Sequence, residues 1–254
     1  MRTAFYREDL ARVHHSGFAE LAERAARHLG RALARRGIRR GTVVDLGCGS
    51  GELARSIGDR GLDVIGVDVS AAMIRRARRT APHARFRVAS LADFELPRCD
   101  AVTALGEVIS YLPPSTQRAS TARLFRRVAR ALRPGGLFLF DVLVRGRPPM
   151  RHRTWKSGGD WAVLVDVSED VRRGRVRREI TTFVRDGARY RRRSETHVLR
   201  VFGRAELVRD LERAGFRVKT SLRLGEARLG PRRLGFTAIA APDPPARRSR
   251  SRRS

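Results

Sequence analysis

The sequence predicts an α/β fold: an open, mostly parallel sheet with an antiparallel β insertion near its C-terminal end. Between residues 41 and 143, short β-branched runs alternate with amphipathic helical stretches, the pattern of βαβ crossovers. The first of these strands leads directly into Gly47-Cys48-Gly49-Ser50-Gly51 and then a helix, a strand–glycine loop–helix device that suits a nucleotide-like ligand. Residues 144–202 abandon this alternation for apolar and charged residues at a period of two.

Residues 1–17 read as polar and irregular, with Tyr6, His14 and His15. Residues 18–36 have helical spacing at Phe18, Leu21, Ala22, Ala25, Leu29 and Leu33, and Gly37 is the C-cap. Residues 1–40 are thus expected to form an N-terminal helical segment. Val43 and Val44 begin a buried strand with Asp45 at its carboxyl end. Residues 62–67 form the next strand, ending at Asp68, about twenty residues past the first glycine, where an acid can accept hydrogen bonds from ribose hydroxyls. Ser70 is a natural N-cap. Met73, one turn further, suits either an adenine face or the ordinary core.

A third strand at 85–89 leads to Ser90-Leu91-Ala92-Asp93-Phe94, and a fourth at 100–105 leads to Gly106-Glu107-Val108-Ile109-Ser110-Tyr111. Parallel sheets bind ligands at these carboxyl ends. Glu107 is a candidate general base, an anchor for a substrate ammonium, or a helix N-terminal acid favoured by the dipole. A helix over 115–132 ends at Arg133-Pro134-Gly135-Gly136, and a strand over 137–143 closes the first part of the core. The insertion is expected to hold about three strands, over 161–167, 176–184 and 190–201, with Asp186-Gly187 as the hairpin turn. A helix over 205–214 and strands over 216–222 and 234–240 complete the core at 203–241. From Pro242 the chain is Pro, Ser and Arg, expected to be a disordered basic tail.

Glu52 stands where a dinucleotide fingerprint needs its third glycine, and its carboxylate would repel a pyrophosphate. The run Asp45-Leu46-Gly47-Cys48-Gly49-Ser50-Gly51, together with Asp68-Val69-Ser70-Ala71-Ala72-Met73, resembles the motifs of class I S-adenosylmethionine (SAM)-dependent methyltransferases of the small-molecule type. The Pro-Gly-Gly turn and the Leu211-Glu212-Arg213-Ala214-Gly215-Phe216 stretch are similar to that family too. The resemblance implies a seven-stranded sheet whose last strand is antiparallel, with residues 41–143 holding SAM. It implies that Asp45 faces the methionine ammonium, Gly47, Cys48, Gly49 and Gly51 pass under the ligand, and Asp68 takes the ribose. Val69, Met73, Ser90, Leu91 and Leu105 complete the expected cofactor contacts. Family members commonly carry Gly-Asp-Ala where this chain has Ser90-Leu91-Ala92, so the adenine contact falls to Ser90 or Asp93. The N-terminal segment and the insertion at 144–202 are expected to act as lids. That makes Tyr6, His15, Trp155, Glu195, His197 and Arg200 candidates, with Glu107, Tyr111 and His197 nearest the chemistry.

Composition sets the limits. The formal charge is +29, and every basic residue except Lys156 and Lys219 is arginine. The arginines are spread over most helix faces, which fits compositional bias better than a nucleic-acid stripe. The tail alone suggests nonspecific nucleic-acid binding. The chain lacks an apolar run of about eighteen residues or a signal-peptide pattern, so a cytoplasmic protein is expected. Cys48 and Cys99 suggest neither a disulfide framework nor a metal site. In-line methyl transfer to a small molecule is the expected activity. A nucleic-acid methyltransferase and a non-catalytic SAM-binding regulator are the alternatives.

Overall fold

The computed structural model describes residues 5–17, 20–111 and 117–241. In chain order these form α1 (Glu8–Gly17), α2 (Glu20–Ala34), β1 (Thr42–Leu46), α3 (Glu52–Gly58), β2 (Asp63–Asp68), α4 (Ala71–Thr80), β3 (Arg85–Val88) and β4 (Cys99–Ala104). A 3-10 turn at Val108–Tyr111, α5 (Gln117–Ala131) and β5 (Leu132–Leu143) follow. The insertion holds β6 (Arg151–Ser157), β7 (Trp161–Asp170), β8 (Arg175–Asp186) and β9 (Arg189–Arg200). The chain ends with α6 (Arg204–Arg213), β10 (Phe216–Ser221), a small hairpin of β11 (Arg223–Leu224) and β12 (Ala227–Arg228), and β13 (Arg233–Ala240). The basic tail at 242–254 lies outside the described residues.

The main sheet has seven strands in the order β10-β13-β5-β4-β1-β2-β3. Strands β1 to β5 run parallel, and β13 is antiparallel to both β5 and β10. Successive side chains of a strand face opposite ways, so Val43 and Val44 enter different cores. Val43, Leu137 and Leu139 pack with Leu29, Leu33, Leu53, Ile57 and Ile74 beneath α2, α3 and α4. Val44, Phe138 and Phe140 pack with Phe125, Leu207 and Leu211 beneath α5 and α6. There Phe140 stacks on Phe138 and Phe236 at centroid distances of 4.6 and 4.7 Å. The strand order reverses between β1 and β4, which opens a crevice at their carboxyl ends.

The insertion is a four-stranded antiparallel meander rather than three strands. Sequence pattern misses β6 because all seven of its residues are exposed and carry no apolar alternation; only pairing to β7 makes it a strand. Entry and exit lie side by side, with the Arg145 amide donating to the Phe202 carbonyl at 2.9 Å and the Phe202 amide to Leu143 at 2.8 Å. The core sheet therefore continues undisturbed past the excursion. One face of the meander buries Val163, Val167, Ile180, Val184, His197 and Leu199, while the other exposes Leu164 and Val198.

Residues 8–17 are helical, not irregular. Ten residues are too few for a stable helix alone, so α1 depends on its neighbours. Leu10 and Val13 pack with Trp161, Val163, Ile180 and Val184 of the insertion, and Ala11 with Ala72 and Met73 of α4. Asp9 is buried between Arg191 and Arg193, at 2.8 and 2.9 Å, and the Arg191 hydrogen bond holds its carboxyl below the usual carboxylate range. The N-terminal helix is thus wedged between the core and the insertion. Among the described residues no helix is long and apolar enough to cross a membrane.

Candidate active site

The glycine loop uses its three glycines differently. All have positive φ, at 71°, 52° and 89° for Gly47, Gly49 and Gly51, a region that side chains rarely adopt. A methyl group on Gly47 would overlap Val108, and one on Gly51 would come within 3.0 Å of the Ala77 backbone. Those two glycines serve internal packing. A methyl on Gly49 would meet nothing within 4 Å, so Gly49 alone presents bare backbone to open space. Cys48 is buried beside it, and burial, with the charges of Asp68 and Asp45, pushes its thiol well above the usual range.

Two acids border this loop. Asp45 is buried at the end of β1, where the Thr103 hydroxyl donates to Oδ1 at 2.6 Å. Burial raises its pKa to about 7 despite that hydrogen bond, with the charges of Asp68 and Glu52 adding to the rise. Asp68 accepts the Gly49 amide on Oδ2 at 3.0 Å and the Ser70 amide on Oδ1 at 2.8 Å. Burial raises its pKa as well, against those bonds. Ser70 caps α4 through the Met73 amide at 3.2 Å and donates to the Tyr6 carbonyl at 2.8 Å. Tyr6 and His15 therefore both reach this region, for His15 Nδ1 lies 2.6 Å from Glu52 Oε1.

A cavity of about 750 Å³ runs from this loop to the buried face of the insertion. Its walls include Asp45, Gly47, Cys48, Gly49, Leu105, Glu107 and Tyr111, joined by Tyr6 and His14 from the N-terminal segment. Burial forces the His14 imidazole down to about 4, so it is neutral near pH 7. Gly51, Asp68, Val69, Met73, Ser90, Leu91 and His197 do not line it. Met73 is buried against Ala11, Ala72 and Tyr6, and Val69 is exposed. Ser90 accepts the Ala92 amide at 3.1 Å in a turn that Arg127 holds through the Ala92 and Phe94 carbonyls. Asp93 is exposed.

At the far end, Asp141 organises the turn after β4. Its carboxylate accepts the Gly106 and Glu107 amides at 2.8 and 3.2 Å, and Arg233 at 2.6 Å. Burial raises the Asp141 pKa, which Arg233 opposes. Glu107 is buried, with Arg178 Nη2 2.8 Å from Oε2 and Arg233 Nε 3.2 Å from Oε1. The Arg178 contact is an ion pair off the hydrogen-bond axis, since Oε2 has no aligned donor. Both Glu107 oxygens thus face guanidiniums, an arrangement that suits an ion pair fixing Arg178 and Arg233.

A different set of groups can move a proton. Tyr111 Oη lies 3.1 Å from His197 Nδ1, and His197 Nε2 lies 3.1 Å from Glu195 Oε2. Tyr6 hydrogen-bonds Tyr111, and its ring packs 5.1 Å from His197. Burial raises both phenols, Tyr111 well above the usual range, so both remain protonated. Trp155 and Arg200 stand apart from this set. Trp155 is 72% exposed although it touches the cavity rim. Arg200 lies over the Phe202 ring at 4.5 Å and pairs with Glu206 at 3.0 Å. Among the described residues no group of His, Cys, Asp or Glu could hold a metal ion.

Sequence reasoning missed Thr103, Asp141, Arg178 and Arg233. A polar residue inside an apolar strand, as in Phe138-Leu139-Phe140-Asp141-Val142-Leu143, was a usable signal. Arg178 carried none among so many arginines.

Comparison with known proteins follows the same lines. A family model described as "Methyltransferase domain" matches residues 18–221. The ubiquinone biosynthesis O-methyltransferase of Alkalilimnicola ehrlichii is 36% identical over 110 residues, 41% of this chain and 42% of that protein, so the match spans well under half of that relative's length. The dTDP-3-amino-3,4,6-trideoxy-alpha-D-glucopyranose N,N-dimethyltransferase of Streptomyces venezuelae is 27% identical, covering 70% of this chain and 76% of that one. The crystal structure of the sugar N-methyltransferase KedS8 from Streptoalloteichus superposes with a TM-score of 0.72 at 26% identity, over 91% of this chain and 90% of that one.

Proposed function

We propose, from the premise that the chain belongs to the methyltransferase-domain family, that it transfers a methyl group from S-adenosyl-L-methionine to a small-molecule acceptor. One observation carries this reading: a single cavity reaches from the bare backbone of Gly49 to the paired phenols of Tyr6 and Tyr111. The relatives named for ubiquinone biosynthesis and sugar methylation support an acceptor of small size.

The residues present fit the cofactor. The open face at Gly49 is a cradle that a Cβ would fill, and among the described residues Thr103 donates to Asp45 on Oδ1 alone, which leaves Oδ2 for a ligand ammonium. We assign the loop of Gly47, Cys48, Gly49 and Gly51 to the methionine end and Asp68 to the ribose. Leu105, on the cavity wall, is assigned to the adenosine, and Val69, Met73, Ser90 and Leu91, which lie off that wall, are assigned there on the sequence motif alone. When bound, the cofactor supplies an electrophilic methyl on a sulfonium with a good leaving group. The protein's part is alignment and exclusion of water, which α1 and the insertion provide as walls.

Tyr111 is assigned to the acceptor proton, which passes to His197 Nδ1 while Glu195 holds the Nε2 proton. Glu107 is assigned to holding Arg178 in place. We place the protein in the cytoplasm, in keeping with free Cys48 and Cys99.

The test incubates protein truncated before Pro242 with labelled SAM, a small-molecule acceptor panel and total RNA at near-physiological salt. Label in a small acceptor and none at a defined RNA site is expected. Site-specific RNA label would establish the nucleic-acid reading instead. Tight SAM binding with no acceptor in any class would favour a regulator.

A further inference from the structure

We infer that the methylated atom is the oxygen of a phenolic or enolic hydroxyl, and that Arg178 holds it as the oxyanion. This rests on the methyltransferase reading and specifies its acceptor. Arg178 of β8 and Arg233 of β13 both line the cavity beside Tyr6 and Tyr111, and β6 adds His152 and Lys156. Glu107 is the carboxylate on this end of the cavity wall, and both of its oxygens already face guanidiniums. The Tyr6 and Tyr111 hydroxyls stay protonated, so they offer donors to lone pairs.

An amine must shed its proton before it can attack, and a protonated one would find both Glu107 oxygens already facing guanidiniums. An oxyanion meets the reverse: the Arg178 guanidinium, whose contact with Glu107 lies off the hydrogen-bond axis, and the phenol donors in a low-dielectric pocket. The walls at Met150, Val163, Val165 and Ile180 are apolar and suit a planar ring. A carboxylic acid would arrive ionised and leave the Tyr111–His197 path without a task. An aliphatic alcohol is too weak an acid for that path to ionise.

In the transfer step, a lone pair of the acceptor oxygen forms the bond to the methyl carbon. The carbon–sulfur bond breaks, and its electron pair returns to sulfur, leaving a neutral thioether. The hydroxyl proton goes to Tyr111 as that residue's own proton moves to His197 Nδ1.

The test titrates para-nitrophenol, whose phenolate absorbs visible light, with the full chain. The bound probe is expected to ionise about one pH unit lower than the free probe, a tenfold preference for phenolate. Arg178→Met should abolish that preference, and Arg178→Lys, which keeps the charge beside Glu107, should retain most of it. An unshifted probe, or an equal shift in Arg178→Met with its circular dichroism intact, would overturn the proposal. So would faster methylation of naphthylamine than of naphthol with labelled SAM. Failure to bind SAM would instead refute the methyltransferase reading, and the phenolate titration would still decide the role of Arg178.

Discussion

Asp45→Asn is expected to stabilise the protein while removing its hold on the cofactor. Asp45 ionises at about 7 in the fold against 3.8 for an ordinary aspartate, because burial penalises its charge. For an acid with a raised folded pKa, the sign is unfavourable to the charged form. No penalty exists below pH 3.8; it builds as the pH rises and is complete above 7. A shift of that size corresponds to at most about 4 kcal/mol. Half of it would raise Tm by roughly 4–8 °C for a protein of this size. Calorimetry should therefore show Asp45→Asn melting higher than the wild type at pH 8, with the difference vanishing near pH 4. The Thr103 hydrogen bond survives, since an asparagine oxygen also accepts it. SAM affinity should fall by about tenfold or more, the worth of a charge-assisted bond of roughly 1.5–3 kcal/mol. A variant no more stable at pH 8, with unchanged SAM affinity, would show that Asp45 plays neither part.

The second large effect concerns the proton. His197→Gln keeps a hydrogen-bond acceptor for Tyr111 but cannot take a proton, so kcat should fall by about 10²–10⁴-fold. KM should change little, because His197 does not line the cavity. A structural role would lower activity equally at every pH. A base predicts that the variant recovers as the acceptor ionises unaided at higher pH, while Glu195→Gln shows a smaller loss of the same form. A uniform loss across the profile would reduce the histidine to a packing residue.

These residues also mark how far the sequence could be read. The placement of Asp45, Gly49 and Asp68 around one loop was legible because it depends on local order along a strand, a loop and a helix start. The three glycines looked alike in sequence and proved unlike, since contact with Val108 and Ala77 is tertiary. His197 and Trp155 were equal candidates on alternating strands. Only the packing of α1 and β5 against one face of the meander decided that His197 is buried and Trp155 exposed. α1 was readable in principle: Glu8 and Asp9 open it, His14 and His15 close it, and Leu10 and Val13 share a face. Its apolar stripe was too short to stand out from a polar stretch. β6 was not readable at all, because an exposed edge strand shows its nature only through pairing. Glu107 was legible as an acid after β4 but its partners were not, because Arg178 and Arg233 come from β8 and β13, far along the chain.

Calorimetric titration with S-adenosyl-L-methionine, run on the wild type and on Asp68→Ala with NAD as the control ligand, tests the central claim most directly. Asp68 joins the glycine loop to α4 through the Gly49 and Ser70 amides, and its remaining lone pairs are assigned to the ribose. The account predicts one micromolar-range site in the wild type, at least about tenfold weaker binding in Asp68→Ala with its circular dichroism intact, and no measurable heat with NAD. Tight NAD binding without SAM binding, or SAM affinity indifferent to Asp68, would contradict it.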